Sequence, residues 1–217
     1  MTTSETSPDV DPTNWRVDYE DVEPIRIRDP VAEALTVLAP NEPFVITYED
    51  VVKAAGHSCP TASGAYRIAQ RGLDALYPDR TPVRGEIEVT AGGPKGDPTY
   101  GVMSRIVSYV TGAAEEDGFG GLAGGYGGRQ DSLHFRDFES DGPAFEFTRT
   151  DTDESVRVTY HVSDVSSAGP ATEALGKLID GTATPEERDA FSEAWHSRIE
   201  RVLTDDELFT VDRSVPS

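Results

Sequence analysis

Gly56-His57-Ser58-Cys59-Pro60-Thr61 is the stretch on which the reading of this chain turns. A proline that follows a possible cap residue is preset for a first helical position and forfeits no hydrogen bond there. Beyond it Ala65, Ile68, Ala69, Leu73 and Leu76 recur at helical spacing, so a helix with one apolar face is predicted to open at Ser58-Cys59-Pro60-Thr61 and run to about residue 76. Pro78 stops it. Residues 48–55 read as a helical turn that delivers the chain to His57. The stretch is therefore a tight turn that places a histidine and a cysteine, two residues apart, at a helix N-terminus.

Working outward, residues 30–38 predict a short helix, with Asp29 as N-cap, Pro30 at its first position and Val31, Ala34, Leu35 and Leu38 on one face. Residues 44–47 read as a brief strand. Gly85-Glu86-Ile87-Glu88-Val89-Thr90 alternates polar and apolar residues and predicts a strand over 86–90 with Ile87 and Val89 inward. A helix over about 99–110 follows, with Val102, Ile106 and Val110 on one side. Eight of the seventeen residues from 112 to 128 are glycine, too many for a regular element, so this segment is expected to be a long loop over the site. Residues 133–138, 144–150 and 156–162 predict an antiparallel meander, with a turn at Asp141-Gly142. The last third reads as helical over 172–181 and 184–203, the second helix opening with the capping box Thr184-Pro185-Glu186-Glu187. The fold class expected is α+β, an antiparallel or mixed sheet with helices packed on it. Residues 1–22 are expected to be a disordered acidic leader, with Trp15 and Tyr19 able to dock on the core, 23–203 a single domain, and 204–217 a tail. No internal repeat is visible.

The chain has 217 residues, enough to bury a sizeable core, although only 36% are hydrophobic. Acidic residues outnumber basic ones by 40 to 19, giving a net charge of −21, which opposes the phosphate neutralisation that nucleic-acid binding requires. Three of the basic residues are lysines and sixteen are arginines. Acidity with so little lysine suggests a protein adapted to concentrated salt, where the Debye length shrinks to about 3 Å and like charges are screened. Cys59 is the only cysteine, so no intramolecular disulfide can form. Residues 1–12 lack the basic and apolar regions of a signal peptide, and no run approaches the roughly 20 apolar residues of a membrane span. A soluble cytoplasmic protein is expected, with no nucleic-acid or membrane partner.

A cysteine just before a helix has its thiolate favoured by unsatisfied backbone N–H groups and by the helix dipole. In the H-x-C turn, imidazole and sulfur can converge on one divalent metal such as zinc, or the imidazole can act as base to a nucleophilic or redox thiol. Under both readings His57 and Cys59 are the candidate catalytic residues. The plainer alternative makes Cys59 a small buried hydrophobe and His57 a capping histidine. Two ligands leave a metal site incomplete, and His134 is the first candidate for a third. His161 and His196 fit structural roles better. Gly92-Gly93-Pro94-Lys95-Gly96 and Gly118-Phe119-Gly120-Gly121 match neither a phosphate loop nor a dinucleotide fingerprint. Glu86, Glu88 and Asp97 read as parts of a solvated acidic face.

Gly56-His57-Ser58-Cys59-Pro60, followed by Gly64, Arg67 and Ala69, resembles the G-H-x-C-P-x-x-x-G-x-R-x-A signature of the FmdE-like family, which takes its name from a component of formylmethanofuran dehydrogenase. The likeness extends more loosely over residues 45–135. It implies an α+β core, often a homodimer, in which the histidine and cysteine line a cleft and can hold zinc or a similar metal, roles that fall on His57 and Cys59. Family members commonly carry a further cysteine before a C-x-x-D segment, where this chain reads Val102-Met103-Ser104-Arg105, and many have a cysteine-rich zinc-binding tail. Lacking both, the chain resembles a divergent branch. The expectation drawn is a metal-binding protein acting as an enzyme on a small molecule, with a non-catalytic metal-handling or accessory role as the alternative.

Overall fold

The computed structural model describes residues 13–167 and 169–214. Its centre is a five-stranded sheet, and a separate pair of strands, β1 (Ile25–Ile27) and β2 (Phe44–Ile46), runs antiparallel beside it. The main sheet holds β3 (Ile87–Ala91), β4 (Leu133–Phe135), β5 (Ala144–Arg149), β6 (Ser155–Tyr160) and β7 (Phe209–Ser214), in the order β4-β3-β5-β6-β7. Only the β3–β4 joint is parallel. Side chains alternate across the pleat. Ile87, Val89, Phe145, Phe147, Val156, Val158 and Tyr160 are buried on one face. The other face carries Glu88 and the pair Arg157–Glu146, whose Nη2 and Oε2 lie 3.0 Å apart. The sheet is thus apolar toward one helical layer and polar away from it, the α+β class expected.

Helix α3 (Pro60–Leu76) lies over β5 and β6, flanked by α4 (Pro98–Thr111) and α6 (Pro185–Thr204). It buries Ala65, Ile68, Ala69, Leu73 and Leu76, the stripe read from the sequence. Gly64 and Gly72 let it lie flat, because a Cβ at either position would run into the ring of Tyr160 or Phe147. Helix α6 contributes Ile199, Val202 and Leu203 to the core. Helices α1 (Pro30–Ala34), α2 (Tyr48–Ala55) and α5 (Ala174–Ile179) are shorter. Among the described residues no helix is long and apolar enough to cross a membrane.

Several sequence expectations need correction. The helix expected over 30–38 ends at Ala34, because Thr36 takes a left-handed φ of 58° and Leu35 and Val37 find nothing to cover them. The segment 204–217, expected as a tail, supplies β7, with Phe209 buried and Thr210 and Asp212 exposed in the alternation of an edge strand. Within the expected leader, Trp15, Tyr19 and Val22 pack against the core, and the rest of it, residues 1–12, lies outside the described residues. The strand expected over 133–138 stops at Phe135 and does not join the meander directly. β3 comes between β4 and β5, so the antiparallel run is β3-β5-β6-β7 and the sheet is mixed.

Candidate functional site

Gly56 ends α2 in the left-handed conformation, φ 75°, and its N–H donates to Val52 O at 2.8 Å. A side chain is strained there, so glycine makes the reversal that presents His57. His57 is exposed, and its Nδ1–H donates to the Ala55 carbonyl at 3.0 Å. A carbonyl can only accept, so the proton of the neutral ring sits on Nδ1 and the lone pair of Nε2 faces outward. Cys59 follows in extended backbone, φ −153° and ψ 165°, as the N-cap of α3. Its Sγ accepts from the Ala62 N–H at 3.4 Å, and its carbonyl accepts from Ser63 Oγ at 3.0 Å. The thiol is only partly buried.

The residue between them is held from two sides. Trp195 Nε1–H of α6 donates to the Ser58 carbonyl at 2.9 Å, and Tyr48 Oη pairs with Ser58 Oγ at 2.8 Å. Tyr19 stacks edge-on against Tyr48, with ring centroids 5.0 Å apart. Burial pushes the phenols of Tyr48 and Tyr160 far above the usual tyrosine value, and negative charge at Cys59 would push both further. Both therefore stay neutral. Tyr160, which lies under Gly64 and stacks on Phe209 at 5.0 Å, has a buried hydroxyl with no hydrogen-bond partner among the described residues. Next to the thiol is thus a dry wall of neutral aromatic side chains, which strengthens any electrostatic interaction made there.

The other expected site residues lie elsewhere. His134 follows the buried Leu133 on β4 and so points to the opposite face of the sheet. Its Nε2 is 4.0 Å from Glu88 Oε2, on the polar side, while His57 and Cys59 sit in the helical layer. Strand alternation, which fixes this, removes His134 as their third ligand. Among the described residues, no three His, Cys, Asp or Glu side chains come together as a group able to hold a metal. The glycine-rich segment 112–128 does not border the turn either. Thr61 in the first turn of α3 shares a cavity of about 430 Å³ with Asp97, Thr99 and Tyr100 at the start of α4. The glycine-rich segment leaves from the other end of α4, roughly 20 Å away at 1.5 Å per residue. There Gly127 packs on Val31, and Arg129 makes hydrogen bonds of 2.6 Å to both carboxylate oxygens of Asp29. Glycine supplies positive φ at Gly121, Gly124, Gly125 and Gly127, so the segment is a folded cap on α1.

His161 Nε2 pairs with Thr210 Oγ1 at 2.7 Å, and Asp97 caps α4, so both are structural, as read from the sequence. Burial, aided by the charge of Arg16, pushes the His196 imidazole below the usual histidine value. Tyr48, Tyr160 and Trp195 were not legible as site residues, because each reaches the turn from a distant part of the chain.

A family model described as FmdE, molybdenum formylmethanofuran dehydrogenase operon, matches residues 54–210, a span that takes in the turn, the main sheet and α6. Among solved structures, an FmdE-like protein of tungsten formylmethanofuran dehydrogenase type from Syntrophus aciditrophicus is 15% identical over 79% of this chain and 73% of that one, with a TM-score of 0.40. No curated protein matches the chain.

Proposed function

The chain belongs to the FmdE family, and we propose that His57 and Cys59 act as a pair of ligands for a divalent metal, with zinc favoured by an imidazole and thiolate donor set. The observation that carries the reading is the state of the two donor atoms. Nδ1 of His57 is committed to the Ala55 carbonyl, which leaves Nε2 free. Cys59 Sγ is oriented by a single N–H at the start of α3, which favours its thiolate form. Such a hydrogen bond on the far nitrogen of an imidazole is the usual device for fixing the tautomer of a ligand.

Bound there, zinc would supply Lewis-acid polarisation of a carbonyl or activation of water. The protein's own contribution is to hold the two donors on one rigid turn and to keep water from one side of them with Tyr48 and Tyr160. The remaining coordination positions fall to solvent, to a small-molecule substrate, or to a second copy in a homodimer. Open positions suit an enzyme acting on a small molecule, and four protein ligands suit a structural or metal-handling role. The Ala62 N–H on Cys59 Sγ also supports a second reading, in which Cys59 is a nucleophilic or redox thiol with no metal and His57 as its base.

The test is metal analysis of untagged protein purified in concentrated salt. Close to one equivalent of zinc per chain is expected in the wild type, and under a tenth in His57→Ala and Cys59→Ala. Less than a tenth in the wild type, unchanged in both variants, overturns the metal reading. Rapid labelling of Cys59 by iodoacetamide at mildly acidic pH would then favour the thiol.

A further inference from the structure

Trp195 stands in α6, 137 residues from Ser58 in the chain, yet its indole N–H donates to the carbonyl that lies between His57 and Cys59. No other hydrogen bond to that carbonyl occurs among the described residues. The indole is itself held in place, stacked on Phe191 at 5.5 Å and 15°, with the Arg198 guanidinium over its ring at 5.6 Å. Rotation of the peptide plane after Ser58 would swing the His57 ring relative to Cys59 Sγ, because that plane is the link joining the two residues. A rigid donor on this carbonyl therefore sets the bite of the pair. Tyr48 holds only the Ser58 side chain, which leaves the peptide plane free.

We infer that Trp195 is a positioning residue for the His57 and Cys59 pair, coupling α6 to the chemistry of the turn through its hydrogen bond to the Ser58 carbonyl. The inference rests on that pair being the working site, whether as metal ligands or as base and thiol. It also accounts for an aromatic donor in a helix whose other buried residues, Ile199, Val202 and Leu203, are aliphatic.

Cobalt(II), which reports thiolate and imidazole ligation by its absorption bands, is the probe for the full chain in concentrated salt. Trp195→Phe keeps the ring and deletes the donor. It is expected to weaken cobalt binding about tenfold, the scale on which orienting partners of ligands act, and to displace the pH profile of Cys59 alkylation by iodoacetamide. Phe191→Leu loosens the stacking, keeps the N–H, and is expected to leave both readouts near wild type. Cobalt affinity and alkylation profile both unchanged in Trp195→Phe overturn the inference. If the wild type binds no cobalt, the metal reading fails alone, and the alkylation profile still decides the role of Trp195. A further measurement needs no variant of α6. With indole ¹⁵N label the two tryptophans give two signals, assigned by Trp15→Phe, and alkylation of Cys59 is expected to move the Trp195 signal and leave that of Trp15 in place. An unmoved Trp195 signal counts against the coupling.

Discussion

Helices α3 and α4 both begin with a proline at the first helical position, yet the residue before each proline does a different job. At α4 the Asp97 carboxylate accepts two backbone N–H groups, from Thr99 at 2.8 Å and Tyr100 at 3.1 Å. At α3 the cap is a thiol, a weak acceptor, with one contact of 3.4 Å to Ala62 N. Asp29 before Pro30 and Thr184 before Pro185 follow the α4 pattern, so Cys59 is the exception among four similar starts. Its place is poorly explained by capping, for which Asp, Ser or Thr would serve better. The start of α3 is held instead by tertiary means, through the seat of Gly64 on Tyr160, the Ser63 Oγ bond to the Cys59 carbonyl and the Trp195 bond to Ser58. A cap residue that gives up local stability marks where the chain needs its chemistry.

The comparison breaks most visibly at Gly64. A methyl group there collides with the Tyr160 ring in a packed core, and Gly64→Ala is expected to cost about 1–3 kcal/mol of stability, measured by urea unfolding at fixed high salt. An unchanged midpoint would mean that α3 is not seated on Tyr160. Asp97→Ala comes next, with a loss of about 1 kcal/mol, as for other carboxylate caps. Concentrated salt keeps this loss from being masked by relief of repulsion in so acidic a chain. Cys59→Ala should cost clearly less than Asp97→Ala in the same assay. Equal losses at the two caps would erase the distinction between them.

Much of this was legible in the sequence where a local pattern carries the information. The stripe Ala65, Ile68, Ala69, Leu73 and Leu76 predicted α3 because helical burial repeats every three to four residues. Alternation around Ile87 and Val89 predicted β3 for the same kind of reason. What the pattern could not give was which strands lie side by side. β3 sits between β4 and β5, and β7 returns from beyond α6 to close the edge, both decided by contacts between distant segments. β1 is three residues long, too short to stand out in a window suited to strands. At the site, His57, Cys59 and the cap geometry were readable from one turn. Strand parity sent His134 to the wrong side of the sheet for a ligand, and the glycines of 112–128, read as a loop over the site, serve a turn that caps α1. Tyr48, Tyr160 and Trp195 arrive through folding alone.

A finer test of the two caps replaces sulfur by oxygen. Cys59→Ser keeps the size and improves the acceptor, so stability should hold or rise by a few tenths of a kcal/mol. The metal expected at the site should fall to background in the same variant. Opposite signs for stability and metal content in one substitution would separate capping from chemistry. A drop in stability of the size seen for Asp97→Ala would instead give Cys59 an ordinary structural role.

The smallest expected effect concerns pH and tests whether α6, which reaches the α3 cap through Trp195, is sensitive where α4 is not. Burial and the charge of Arg16 hold the folded-state value of His196 below its unfolded value near 6.5. Asp18, Glu20 and Asp21 from the facing segment, with Glu193 and Glu200 of α6, line the same cavity and favour the charged ring, but burial outweighs them. Above about pH 6.5 the ring is neutral in both states and its contribution to stability is complete. As pH falls from there toward the folded value, the unfolded chain takes the proton first and stability declines, levelling off once both states are protonated. His196→Gln should remove that decline. Thermal midpoints between pH 7.5 and 5.5 at constant high salt should fall further in the wild type than in the variant, since the many surface carboxylates are common to both. Superimposable curves would show that protonation at α6 leaves the α3 cap untouched.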